Sequence, residues 1–256
     1  MAGATYLYCV VRSAKRPSTT RVPPGLPGGT TPHVVTAGGS LWLVLSEVPL
    51  DRYGPERLET ALRDLDWVAG VAVAHEAVVE HFARPKVTSV VPMKMFTMFS
   101  SEERAVAEMR SRRREIDGVA RRIAGCEEWG VRVTRSAVLK APQPAPDVRS
   151  GTAFLKARKQ IRDSARAAIE EAAGAAAAVF DELSPIAKDA RRREPPPAGA
   201  IPPLLEAAFL VPAGRRARFR GAARRAAKAC AAAGAEMTLT GPWPAYNFVQ
   251  PSAERA

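Results

Sequence analysis

The order of strand-like and helix-like segments constrains the fold of this chain more than any other feature. Beyond residue 128, hydrophobic residues alternate between the two-residue repeat of a strand and the 3.6-residue repeat of a helix. The pattern predicts, in chain order, a strand, a long helix, a strand, a helix and a strand, at residues 128–134, 152–182, 204–211, 215–233 and 235–240. This order predicts an α+β sandwich.

A further short strand is expected within residues 184–193. Pro185 cannot donate a backbone hydrogen bond, so it restricts this strand to the edge of a sheet. Together with the strand around Trp129, it completes a β-α-β-β-α-β unit. The second half of the chain is therefore predicted to be a ferredoxin-like α/β sandwich.

The first half is predicted to be a mixed α+β sheet domain. Strand-like runs occupy residues 6–11, 33–37, 41–47 and 87–92, and a glycine pair at 38–39 suits a tight hairpin. Helices are expected to pack on this sheet.

Three helical patterns support that expectation. Leu58, Leu62 and Leu65 recur at helical spacing, and residues 71–82 carry a second apolar stripe. A long charged helix is predicted over residues 101–125, because acidic residues in its first turn suit the helix dipole.

Three segments follow from these patterns: an N-terminal α+β domain at 1–125, a ferredoxin-like domain at 126–240 and a C-terminal tail at 241–256 that packs back on the domains. The 46% hydrophobic content is sufficient for a core. No apolar stretch approaches the roughly 20 residues of a membrane span, and no secretory signal is visible. A cytoplasmic protein without a membrane partner is expected.

The formal charge of +12 is the most unusual bulk property. Lys and Arg exceed Asp and Glu by 21 − 16 = +5 in residues 1–150 and by 17 − 10 = +7 in residues 151–256, so the excess is spread over both halves. Such a surface can bind nucleic acid weakly or face an acidic protein, and charge alone does not choose between them.

The sequence contains no common catalytic motif. Phosphate-binding loops, GxGxxG, HExxH, GxSxG and CxxC are all absent. Cys9, Cys126 and Cys230 are far apart, and the six-residue spacing of His75 and His81 does not suit a shared metal. A nucleophilic pair of Cys126 and His75 is conceivable but unconstrained. We expect a non-enzymatic protein with no metal or cofactor.

The helix at 215–233 is predicted to be amphipathic and basic. Four cations recur every four residues on one face: Arg216, Arg220, Arg224 and Lys228. The face could bind an acidic protein, bind RNA, or simply be solvated. No aromatic stacking platform accompanies it, so nucleic acid is an unlikely partner.

The C-terminal segment places Trp243 between Pro242 and Pro244, and the two prolines favour an extended backbone. Trp243, Tyr246 and Phe248 then form an aromatic group on a stiff tail. One interpretation is that the tail folds back and packs between the domains; the other is that it docks on a partner.

Six motifs in order resemble the GvpF/GvpL family of gas vesicle proteins. They are Tyr-Leu-Tyr-Cys-Val-Val at 6–11, Ala-His-Glu-Ala-Val-Val-Glu at 74–80, Val-Val-Pro-Met-Lys-Met-Phe-Thr-Met-Phe at 90–99, Glu-Trp-Gly-Val-Arg-Val at 128–133, Gly-Thr-Ala-Phe-Leu-Lys at 151–156 and Gly-Pro-Trp-Pro-Ala-Tyr-Asn-Phe at 241–248.

This resemblance implies a two-domain protein of gas vesicle assembly, accessory or minor structural, that binds the shell protein and other gas vesicle proteins. It brings no catalytic residues, and it implies a location at the gas vesicle within the cytoplasm. The alternative function is a basic ferredoxin-like module that binds RNA or proteins in general.

Overall fold

The computed structural model describes residues 3–83, 89–136, 151–193 and 202–249. The chain forms two compact units. Unit 1 consists of Met1–Glu127 with Trp243–Ala256, and unit 2 of Glu128–Pro242. The domain boundaries drawn from the sequence, at residues 125 and 240, stay a prediction.

Unit 1 is built on a five-stranded sheet. Its strands are β1 (Gly3–Arg12), β2 (His33–Gly38), β3 (Leu41–Pro49), β4 (Ser89–Pro92) and β5 (Met98–Phe99). The order is β2-β3-β1-β4, and β5 pairs with the first half of β1. β1 is antiparallel to β3, β4 and β5. The four predicted strands are confirmed, whereas the two-residue β5 is not visible in the sequence pattern.

The hairpin between β2 and β3 turns at the predicted glycine pair. Gly38 has φ 100° and Gly39 has φ 57°, both in the left-handed region that glycine adopts without steric cost. The guanidinium of Arg113 donates to the carbonyl of Gly38 at 2.9 Å, so this cation lies against the turn.

Five helices accompany the sheet: α1 (Leu50–Tyr53), α2 (Pro55–Ala61), α3 (Leu65–Ala83), α4 (Glu102–Ser111) and α5 (Arg113–Ile123). In α3, Val71, Val78 and Phe82 are buried, as the second stripe predicts. The first stripe is wrong, because Leu62 is 50% and Leu65 79% exposed. α2 ends at Ala61, so these leucines do not form one helical face.

The single helix predicted over residues 101–125 is also divided. Ser101 caps α4 by accepting from the backbone N–H of Arg104, but Arg112 leaves helical geometry with φ −91° and ψ 11°. A second helix, α5, then begins. The buried residues of α5 include Ile116, Val119 and Ile123, which recur at helical spacing.

Unit 2 contains β6 (Cys126–Arg135), α6 (Gly151–Leu183), β7 (Asp189–Arg192), β8 (Leu205–Pro212), α7 (Arg216–Ala232) and β9 (Ala235–Trp243). The sheet order is β7-β8-β6-β9, so the short strand lies at an edge as predicted, although Pro185 precedes the strand in a turn of 3-10 helix at Ser184–Ile186. The predicted β-α-β-β-α-β element order is the one observed. The core includes Phe209 and Phe219, both fully buried with ring centroids 5.4 Å apart.

The long helix α6 has the predicted extent, and its apolar residues differ in burial along its length. Ala172, Ala176, Val179 and Leu183 enter the core of unit 2, whereas Phe154, Ile161 and Ile169 remain 46–47% exposed. The apolar stripe is therefore buried only in the C-terminal third of the helix.

Both sheets and their helices confirm the α+β fold class. Among the residues that the structure describes, no helix has the length and hydrophobicity that a membrane crossing requires.

Candidate functional site

A buried cluster of tyrosine and histidine side chains joins distant segments of unit 1. Tyr6 and Tyr8 of β1 lie with ring centroids 4.8 Å apart, and both rings are 5.7 Å from His75 of α3. The hydroxyl of Tyr6 and Nδ1 of His75 are 2.8 Å apart, and the backbone N–H of Phe96 donates to the same hydroxyl at 3.2 Å. The hydroxyl of Tyr6 thus connects β1 with α3 and with the loop that contains Phe96.

The hydroxyl of Tyr8 ties down the loop before β2. It lies 2.9 Å from Oγ of Ser46 and accepts from the backbone N–H of Leu26 at 3.0 Å. Gly25 has φ 83°, and a Cβ at this position would lie 2.6 Å from the Tyr8 hydroxyl. Glycine is therefore required here both by the backbone and by the close approach.

Burial keeps the groups of this cluster neutral. Because desolvation disfavours the charged imidazole, the pKa of His75 falls to about 4, and burial raises the pKa of Tyr6. His75 is only 2% exposed. A neutral, hydrogen-bonded histidine without solvent access suits packing better than proton transfer.

The tail places its aromatic residues in different environments. Tyr246 packs against the unit 1 core with its ring 6.1 Å from that of His75, and burial together with the nearby Glu76 carboxylate raises its pKa. Phe248 is fully buried, and its carbonyl accepts from the guanidinium of Arg122. Trp243 ends β9 and is 41% exposed. The three residues predicted as one group are thus not equivalent.

The predicted basic face lies along α7 and is fully solvent-exposed. Its four members, one per helical turn, are exposed: Arg216, Arg220, Arg224 and Lys228. The opposite side of the helix buries Phe219, Ala222 and Cys230 in unit 2. We name this face the α7 row. A partner could reach all four cations without disturbing the core.

The structure offers little for metal or thiol chemistry within its described residues. No group of three or more His, Cys, Asp or Glu side chains there could hold a metal ion. Cys9 and Cys230 are buried, and burial raises the pKa of both thiols. The thiol of Cys126 donates to the carbonyl of Ala124 at 3.5 Å, while His75 is bonded to Tyr6.

The Tyr6–Tyr8–His75 cluster is not predicted by the sequence patterns. The available signal is the spacing of the two tyrosines, because residues two apart on a strand point to the same face. Nothing in the pattern indicates that His75, near the middle of α3, faces them.

Comparison with known structures identifies the fold. The crystal structure of the gas vesicle protein GvpF from Anabaena sp. PCC7120 matches with a TM-score of 0.68 at 16% identity, covering 99% of each chain. That of GvpF from Microcystis aeruginosa gives 0.62 at 12% identity, covering 97% of this chain and 99% of the other. The chain has the fold of a gas vesicle protein.

Sequence comparison then narrows the assignment. The family model "Gas vesicle synthesis protein GvpL/GvpF" matches residues 4–250. "Gas vesicle protein L" of Streptomyces sp. (strain CB03234) is 29% identical over 253 residues, which is 95% of this chain and 91% of that protein. The chain belongs to the GvpL/GvpF family, as the six motifs indicate.

The unequal burial of the tail aromatics predicts unequal effects of their removal. Phe248→Ala should lower the free energy of unfolding by about 3–5 kcal/mol, because it empties a fully buried phenyl site. Trp243→Ala should cost less than about 2 kcal/mol, since the residue is 41% exposed and loses only part of its contacts. Urea unfolding of the full chain measures both. Equal losses would contradict this assignment.

The buried neutral His75 predicts an acid-sensitive contribution to stability. Unfolded His75 takes up a proton as the pH falls below about 6.5, whereas folded His75 does so only near pH 4. Its contribution is complete above pH 6.5 and is lost as the pH falls through 4. The destabilisation caused by His75→Gln should therefore shrink by about 2.5 kcal/mol between pH 7.5 and pH 4.5.

Denaturant unfolding at the two pH values measures this difference. His81→Gln is the matched control, because it removes a partly exposed imidazole from the same helix. A destabilisation by His75→Gln that is the same at both pH values would refute the prediction.

Proposed function

We propose that this protein is an accessory or minor structural component of gas vesicle assembly, located in the cytoplasm at the vesicle, that binds the shell protein and other gas vesicle proteins without catalysing a reaction. The family match over residues 4–250 carries this proposal. Because nearly the whole chain matches, the proposed role belongs to the complete fold and not to one inserted module.

The character of the two units supports a binding role. In unit 1 the hydroxyls of Tyr6 and Tyr8 are buried and hydrogen-bonded to His75 and Ser46, as in a packed scaffold. The net positive charge is larger in unit 2, where residues 128–242 carry 20 Lys and Arg against 11 Asp and Glu, a net of +9. A charged surface on a rigid scaffold favours recognition of a protein partner.

Gene deletion with complementation tests the function. A deletion strain should form fewer or no gas vesicles, and the intact chain should restore them, as scored by electron microscopy and buoyancy. Pull-down with the purified intact chain should retain the shell protein or another gas vesicle protein. Normal vesicles in the deletion strain, together with no retention of any gas vesicle protein, would reject the proposal.

The α7 row is the surface that we assign to an acidic partner. Its four cations recur along one exposed face, so a complementary acidic surface can meet them together. Arg225, which lies beside the row, pairs with Glu182 of α6 at 3.2 Å.

Charge reversal tests this surface. Arg220→Glu/Arg224→Glu should reduce retention of the acidic gas vesicle partner at least about tenfold at about 0.15 M salt, with unchanged thermal stability. Arg114→Glu/Arg121→Glu makes the same charge change at exposed positions of α5 and is the matched control. Equal losses from the two variants would indicate a general charge effect and contradict the assignment. Retention of RNA in place of protein would favour a nucleic-acid partner.

A further inference from the structure

The N-terminal part of α6 extends beyond the packed body of unit 2. At 33 residues the helix is about 50 Å long, whereas the 17-residue α7 is about 25 Å long. Core contacts begin near Ala172, and we call residues 151–170 the α6 arm. Ala157 and Ala168 are partly buried, and the other described side chains of the arm are exposed.

The arm continues the core-facing stripe of the same helix into solvent. Phe154, Ile161, Ala165 and Ala168 follow one another at intervals of seven, four and three residues, which keeps them on one helical face. Ala172, Ala176, Val179 and Leu183 extend that face into the core. This apolar stripe is thus buried in the C-terminal part of α6 and solvent-exposed in the arm. An exposed apolar stripe of this kind marks an interaction surface.

A groove lies where the arm meets the body of unit 2. It is open and has a volume of about 580 Å³. Its lining is largely alanine, with two carboxylates, and includes Ala168 and Glu171 of α6, Ala227 and Ala231 of α7, and Ala235, Glu236 and Met237 of β9. Alanine side chains leave room for a larger apolar side chain to insert. Since Ala168 belongs to both, stripe and groove form one continuous surface.

The charge of the arm identifies the chemistry of its occupant. Five cations stand against Asp163 and Glu170, a net of +3. Arg158, Arg162 and Arg166 follow one edge of the stripe at four-residue intervals. Arg162 lies 3.9 Å from Asp163 and Arg166 lies 2.9 Å from Glu170, so the net charge of +3 remains after these pairs. A second copy would bring two positive arms together, so an acidic occupant fits better.

We propose that the α6 arm and its groove bind an acidic amphipathic helix of a partner protein, with the partner's apolar side chains on the stripe and its carboxylates along the arginines. This surface is distinct from the α7 row and does not depend on the proposed role in gas vesicles. A narrow stripe, half of it alanine, suits close helix–helix contact.

Two synthetic peptides test the proposal with the full-length chain. Both carry the same heptad stripe of leucines, one flanked by glutamates and the other by lysines. Fluorescence anisotropy at about 0.15 M salt should show the acidic peptide binding at least about tenfold more tightly than the basic one. Phe154→Ser/Ile161→Ser should weaken binding of the acidic peptide at least about tenfold, with an unchanged circular dichroism spectrum.

A matched pair of charge reversals locates the site. Arg158→Glu/Arg162→Glu should weaken binding of the acidic peptide at least about tenfold and strengthen binding of the basic peptide. Lys156→Glu/Lys159→Glu changes the charge by the same amount on the side of the arm away from the stripe, and should alter affinity less than about threefold.

Several results would overturn the proposal. They are failure of both peptides to bind, equal binding of the two, and equal effects of the two charge reversals. Self-association that Phe154→Ser abolishes, measured by sedimentation, would make a second copy the occupant. Displacement of the acidic peptide by anionic lipid vesicles or by single-stranded RNA would assign the surface to a membrane or a nucleic acid. Gas vesicle formation enters none of these measurements, so they can fail independently of the proposed function.

Discussion

Burial of the first strand is the constraint on which unit 1 depends. Residues 6–11 of β1 have no solvent exposure, and the strand pairs with β3, β4 and β5. Buried hydroxyl groups are stabilised by hydrogen bonds, so the hydroxyls of Tyr6 and Tyr8 position the groups to which they bond. Tyr6 holds α3 and the segment before β5, and Tyr8 holds the loop before β2. The hydroxyls of Tyr6 and Tyr8 on β1 thus position elements that are far apart in sequence.

This arrangement explains what the family motifs of unit 1 have in common. The first strand, the His75 helix, the Phe96 segment and the tail around Tyr246 are separate in sequence but contact one buried cluster. These motifs therefore maintain packing, and a histidine among tyrosines is not evidence of catalysis in this setting. Its neutral state makes it a determinant of stability below pH 6.5.

Unit 2 contrasts with this scaffold, since its unusual features lie on the surface. Its core is made by the sheet, α7 and the last turns of α6, while the α7 row and the α6 arm remain in solvent. The two surfaces differ in chemistry. The row offers charge alone, which gives specificity and steering, whereas the arm offers charge beside an apolar stripe and groove that can be desolvated.

The sequence by itself determined the α+β class, the strand order along the chain, the edge position near Pro185 and the glycine hairpin, because these follow from local periodicity and backbone restrictions. It also determined that Arg216, Arg220, Arg224 and Lys228 share a face. Only the tertiary structure decided which stripes are buried: Leu62, Leu65 and Phe154 have helical spacing but are exposed. It also placed His75 beside Tyr6 and separated Trp243 from Phe248. Burial depends on which elements meet in space, and the periodicity of one segment carries no information about its neighbour.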